Sequence, residues 1–190
     1  QPDLGQSRDG SWGPCCHKFY RKLEPTVDAL QLDGLDPGKL YPLTFMAPLL
    51  DPAWVANRME ELQVSDIAKT GWNNRDEYGS MITSLSQLFF KKELLDLFAG
   101  NPCLQFNIDQ TAIDRYTQSL WAVQDGQTGY WGPSYIFGSD HVMIPDLSFT
   151  FHVVHYYMED APTARRVPNL DKIFGTTLDS HMRIQDWNEL

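Results

Sequence analysis

The feature that most constrains the fold of this chain is a turn sequence that occurs twice. Gln124, Gly129 and Trp131 form a run of Gln, four residues, Gly, one residue, Trp. Gln6, Gly10 and Trp12 form a looser copy, and both continue Trp-Gly-Pro, as Trp131-Gly132-Pro133 and Trp12-Gly13-Pro14. The glycine permits a tight corner that a β-carbon obstructs. The Gln before it can bond backbone groups left unsatisfied at helix ends, and the Trp can lay its ring over a neighbouring helix terminus. The second copy opens the richest stretch of the chain, Gln124 to His155, which holds three of the five histidines.

Between the turns the apolar residues recur at helical spacing. Phe19, Leu23, Val27 and Leu30 predict a helix that Pro25 kinks or splits. YPLTFMAPLL reads as a short buried helix between kinks. Asp51-Pro52 carries two helix-start signals and opens a helix to about Gln63, and Asp109 opens another through Val123. Residues 66–79 read as a polar loop holding Trp72 and Arg75. Residues 135–144, centred on Gly138-Ser139-Asp140, read as a small hairpin, the one place where strand is expected. DLSFTFHVVHYYMED is β-rich by propensity, but its length and its i, i+3, i+4 pattern predict a buried helix. Pro168-Asn169 then opens an amphipathic helix weakened by Gly175. The fold class expected is all-α, a single helical domain over 1–190.

Composition bounds the function. The 190 residues suffice for one domain with a real core, and 42% hydrophobic against 21% charged content places the chain among folded proteins. A net charge of −10 argues against a nucleic-acid partner, since a phosphate backbone would be repelled. No apolar run reaches the roughly 20 residues that cross a bilayer. The start at Gln1 rather than Met fits a processed, recombinant or partial chain, and is compatible with secretion. Phosphate-binding glycine motifs and a G-x-S-x-G nucleophile elbow are absent, so no cofactor is expected. Among the three cysteines, Cys15 or Cys16 can pair with Cys103, or all three can be free thiols; Cys15-Cys16-His17 lacks zinc spacing.

The candidate catalytic residues are Asp146, His152 and His155. On a helix the two histidines lie three apart, with Asp146 at its start, and a His suits proton transfer near neutral pH. The plain alternative is that Asp146 caps the helix, His152 is a satisfied core residue and His155 is surface. Two histidines at this spacing could also ligate a metal, but no third ligand is indicated. The candidate substrate-binding residues are Trp72 and Arg75, Tyr130, Trp131 and Tyr135 around the second turn, and Asp140-His141 at the hairpin tip. Arg can grip a carboxylate with two bonds, and Trp and Tyr offer flat faces to a sugar or prenyl chain. Each has a structural counterpart: an Arg–acid pair, an anchoring Trp, a solvated turn.

The two turns, on Gln6, Gly10, Trp12 and Gln124, Gly129, Trp131, resemble the QW motifs of the α/α toroids, the terpenoid cyclases and protein prenyltransferases. Thr128 to Gly132 followed by Asp146 to His152 resembles an uncharacterised branch of toroid-like proteins. The resemblance implies helical hairpins in two concentric rings, or part of such a ring in a piece of a longer chain. The cyclases' D-x-D-D acid run is missing, and the transferases' zinc triplet has no counterpart. Three functions follow as expectations. The first is an acid/base enzyme with a cavity for an apolar, prenyl-type substrate, to which an aromatic content of 13% lends cation-stabilising ring faces. The second is a carbohydrate-active lyase or hydrolase, and the third a binding or scaffold domain. A deep aromatic cavity separates the first from the second, which needs an open groove with exposed Trp and paired acids.

Overall fold

The computed structural model describes residues 5–13, 18–159 and 166–188, with side chains described through Met182 in the last helix. The chain is mostly helical, with a small three-stranded sheet. In order come α1 (Phe19–Leu30), a 3-10 segment (Thr44–Leu50), α2 (Pro52–Gln63), β1 (Val64–Ser65), the short α3 (Ile67–Thr70), α4 (Arg75–Phe90), α5 (Lys92–Gly100), α6 (Gln110–Ala122), β2 (Ser134–Phe137), β3 (Asp140–Met143), α7 (Leu147–Glu159) and α8 (Leu170–Asn188).

α4 is buried over most of its surface, with Glu77, Ser84, Ser86 and Gln87 enclosed among its apolar residues. Tyr78, Met81, Ile82, Leu85, Leu88, Phe89 and Phe90 are all buried. α1 and α7 flank it, while α2, α5 and α6 pack on its remaining sides. Gly79 lets α7 approach, because a β-carbon there would stand 2.5 Å from the Phe149 ring. The local starts are those the sequence encodes. Asp51 accepts from the Ala53 amide at 2.9 Å, and Asp109 from Ala112 at 2.8 Å.

The two turns are built alike. In the second, Gln124 Nε2 donates to the carbonyls of Gly129 and Pro168, each at 2.8 Å, and so ties the turn to the entry of α8. In the first, Gln6 Nε2 donates to Gly10 O at 3.0 Å and to Tyr41 O at 3.3 Å. Gly129 and Gly10 have φ of 75° and 85°, and a β-carbon on either would press into a backbone carbonyl. Both Trp amides then donate to a threonine hydroxyl: Trp131 to Thr150 of α7 at 3.1 Å, Trp12 to Thr26 of α1 at 3.0 Å. Each threonine in turn donates to the carbonyl one turn back, Asp146 or Lys22.

One difference separates them. Trp131 Nε1 donates to Leu120 O at 2.8 Å, capping the last turn of α6. Trp12 Nε1 is buried without a partner, and no helix among the described residues precedes it.

Several expectations need correction. Pro25 lies inside α1 without splitting it. Thr44–Leu50 winds as a 3-10 helix rather than an α-helix, with Pro48 inside it. The loop expected over 66–79 ends early: Ile67–Thr70 makes a helical turn, and α4 begins at Arg75. The hairpin pairs Ser134 with Met143 and Phe137 with Asp140, as its alternation suggested. It is not the only strand, because Val64–Ser65 adds to it in parallel through Ser134 and Tyr135. A two-residue strand has no periodicity to read. Cys15, Cys16 and His17 lie outside the described residues; Cys103 is exposed, its Sγ 3.7 Å from Pro37 O.

The unequal indoles give a direct check. Trp131→Phe removes one of the two bonds that Leu120 O accepts, the other coming from the Val123 amide at 3.3 Å, whereas Trp12→Phe removes an unpaired N–H for the same loss of volume. Trp131→Phe should cost about 0.5–1.5 kcal/mol more than Trp12→Phe in chemical denaturation. Equal losses would show that the Leu120 bond contributes nothing.

Candidate active site

The groove that collects the most chemistry has α4 as its floor, with α1 and α7 as its walls. It is open to solvent and encloses about 490 Å³. α1 contributes Glu24 and Asp28, one helical turn apart. α7 contributes His152 and Tyr156, also one turn apart, and Ser80, Thr83 and Gln87 line the floor. Partial burial, reinforced by the charge of Glu24, pushes the Asp28 carboxyl above its usual range. Burial, and secondarily His155, pushes the His152 imidazole below its own. His152 Nδ1 is buried without a hydrogen-bond partner, so protonating the ring would strand an N–H there. The ring stacks on Tyr156 at 5.8 Å. The Tyr156 hydroxyl accepts from Gln87 Nε2 at 2.7 Å, which leaves its own proton to donate.

Beyond Asp76 the groove continues into a second hollow of about 520 Å³, lined by Lys18, Tyr20, Trp72 and Asn73. Trp72 is 51% exposed, with Lys18 Nζ 3.7 Å from its ring centre. Glu77 beneath is buried and holds both Arg58 and Lys18.

The other residues singled out from the sequence have distinct places. Asp146 caps α7, its Oδ1 accepting from the amides of Ser148 and Phe149. Its Oδ2 accepts from Arg75 Nε at 3.1 Å and from Nη2 of the same guanidinium at 2.5 Å. No hydrogen bond in the described residues joins Asp146 to His152, so the expected dyad does not form; Arg75 holds the carboxylate instead. Arg75 is thereby engaged rather than free for a substrate carboxylate. His155 is exposed, stacked on Phe151 at 5.4 Å and 4.0 Å from Glu159. Trp131 is sealed in the core, and the buried Tyr130 bonds Thr177 at 2.7 Å, so neither reaches a cavity mouth. Tyr135 is half-buried on β2, its hydroxyl 3.5 Å from Asn73 Oδ1. Asp140 and His141 are exposed on β3 and line none of these hollows.

Sequence reasoning passed over Glu24, Asp28 and Tyr156. The signal was present: Glu24 and Asp28 stand four apart on the face of α1 opposite Leu23, Val27 and Leu30, and Tyr156 stands four after His152. Among the described residues no three His, Cys, Asp or Glu side chains are placed to hold a metal ion, and no helix is long and apolar enough to cross a membrane. Set against known families, curated proteins and solved structures, the chain has no match.

The lowered His152 fixes a sign for stability against pH. A group whose folded pKa is depressed favours the neutral fold above its unfolded value, 6.5, and loses that contribution as pH falls through the folded pKa. His152→Gln should therefore flatten the decline of melting temperature with acidification below pH 6.5, and an unchanged decline would place the ring in ordinary solvent.

Proposed function

We propose that the chain forms a sector of an α/α toroid whose groove hydrolyses a neutral, hydroxyl-rich substrate, a glycan, by general acid/base catalysis. The paired turns, the shared threonine anchors and the side-by-side α1, α4 and α7 support the toroid reading. One observation carries the chemistry: Asp28 and His152 stand on the two walls of one groove with their pKa values displaced toward each other. Those displacements enlarge the population in which Asp28 keeps its proton while His152 is neutral. In that form Asp28 gives its proton to the leaving oxygen as the C–O bond breaks. His152 takes a proton from the water whose oxygen bonds to the same carbon, and Asp28 and His152 then return to their starting forms by proton exchange with solvent.

The substrate class follows from charge and shape. Glu24, Asp28 and Asp76 make the groove acidic, and Arg75 is taken by Asp146, so a polyanionic uronate chain is disfavoured. Serine, threonine and glutamine on the floor suit hydroxyl groups, and exposed Trp72 in the adjoining hollow offers a face for a further ring.

The apolar-substrate reading has its own support in a narrower cleft of about 260 Å³ between α2 and α6, walled by Ala56, Met59, Leu120 and Val123. Burial drives the Tyr78 and Tyr116 hydroxyls beside it far above their usual range, leaving Glu60 as its acid. The open groove is richer in proton-transfer groups.

The test is release of reducing ends from a panel of neutral oligosaccharides. Activity should peak between pH 3.8 and 6.5, the ordinary values of the two groups, and fall on both sides. Asp28→Asn and His152→Gln should each lower kcat by about 100-fold or more, with melting temperature above pH 6.5 retained. No cleavage of any member across that pH range, or full activity in both variants, would sink the assignment.

A further inference from the structure

The narrow cleft between α2 and α6 shares no lining residue with the groove. Tyr78 of α4 lines it and is only 1% exposed, yet its hydroxyl makes no hydrogen bond among the described residues. Two sealed side-chain atoms there lack a partner, Trp12 Nε1 and His152 Nδ1, and the Tyr78 oxygen is not one of them. The trace of Tyr78 that stays accessible therefore includes its hydroxyl, which opens into the cleft that the side chain lines. Tyr116, in the same lining, is placed differently: its hydroxyl meets Ser86 at 3.1 Å and Ile82 O at 3.3 Å. Burial pushes the Tyr78 hydroxyl far above its usual range, so it keeps its proton and stands as a donor without an acceptor. A nearly buried donor left in that state is costly, and a matching acceptor repays the cost.

We propose that this cleft binds a small neutral molecule, an alcohol or ketone with an apolar body, whose oxygen accepts from Tyr78. Three observations select that class. The first is the wall: Ala56, Met59, Leu120 and Val123 present carbon, and Ser119 has already given its proton to Arg115 O at 3.0 Å. A water on Tyr78 would face mostly carbon, short of the two to four partners that an ordered water takes. The second is size: a dry cavity of about 150 Å³ takes a benzene ring, so room for about ten non-hydrogen atoms follows from this one's 260 Å³. The third is charge. Glu60, exposed and unpaired among the described residues, is the one ionic side chain in the lining and repels a carboxylate. An ammonium held by Glu60 at the rim would leave Tyr78 facing only its tail. A neutral oxygen carried inward satisfies Tyr78 with no charge to desolvate. The site stands whether or not the groove cleaves a glycan, since no group of the groove takes part.

Isothermal titration of the whole chain with n-octanol, n-octylamine and octanoate tests this without any glycan. The alcohol should bind at one per chain with a dissociation constant below about 1 mM, and the amine and carboxylate at least about 10-fold more weakly. Tyr78→Phe keeps the ring against Phe149 and removes a hydroxyl that holds nothing in the fold. It should weaken the alcohol by about 3- to 10-fold with no fall in melting temperature. Ala56→Leu, which fills the cleft from α2, should abolish binding. No binding of the alcohol, equal or tighter binding of the amine or carboxylate, or alcohol binding that either variant leaves unchanged would each overturn the proposal.

Discussion

The burial of α4 over most of its surface governs the rest of the structure. A helix carrying Tyr78, Met81, Ile82, Leu85, Leu88, Phe89 and Phe90 cannot lie on a surface, so five other helices are recruited to cover it. Its few polar members are used. Ser86 meets the Tyr116 hydroxyl at 3.1 Å inside the core, and Gln87 reaches out to Tyr156. Covering α4 from two sides with α1 and α7 creates the groove; the floor is whatever α4 leaves facing the gap, Ser80, Thr83 and Gln87. The candidate site is thus a by-product of packing a largely buried helix between two others while one polar strip of it stays facing the gap.

What sets the walls is a second layer of polar constraint. α7 is held at its start three ways: by Asp146 on its own amides, by Arg75 of α4 on Asp146, and by Thr150 on the Trp131 amide. α1 has the matching threonine bond from Thr26 to Trp12. These bonds fix the rotation of each helix, and with it which residues face the groove. His152 and Tyr156 face it because they stand on the same side of α7 as Ser148, while His155, one residue short of a turn after His152, falls outside. Asp146 therefore contributes to the site by orientation rather than by contact with His152.

Local signals in the sequence determined a good deal. Gln, Gly and Trp in that order, with the Gln four or five residues before the Gly, specified both turns, because a backbone with φ near 80° closes each of them and the Gln side chain then bonds the turn's own carbonyl. Asp51-Pro52 and Asp109 fixed helix starts, Gly138-Ser139 fixed the hairpin, and the 3.6-residue pattern made α7 a helix against its β-rich composition. The same apolar pattern predicted that α7 would be buried nearly all round, and there it misled: α7 buries Phe149, Thr150 and Val153, while Leu147 and Phe151 are exposed. Tertiary structure alone decided the remainder, because each of those features depends on partners far apart in the chain. Asp146 took Arg75, 71 residues away, instead of His152 six residues on. Glu24 and Asp28, ordinary solvated acids by sequence, were brought across from His152. Val64–Ser65 became a strand only because Ser134 and Tyr135 were beside it. Periodicity reports which face of an element is apolar, but the pairing of two polar faces across a gap is set by helix rotation and packing, which no local pattern encodes.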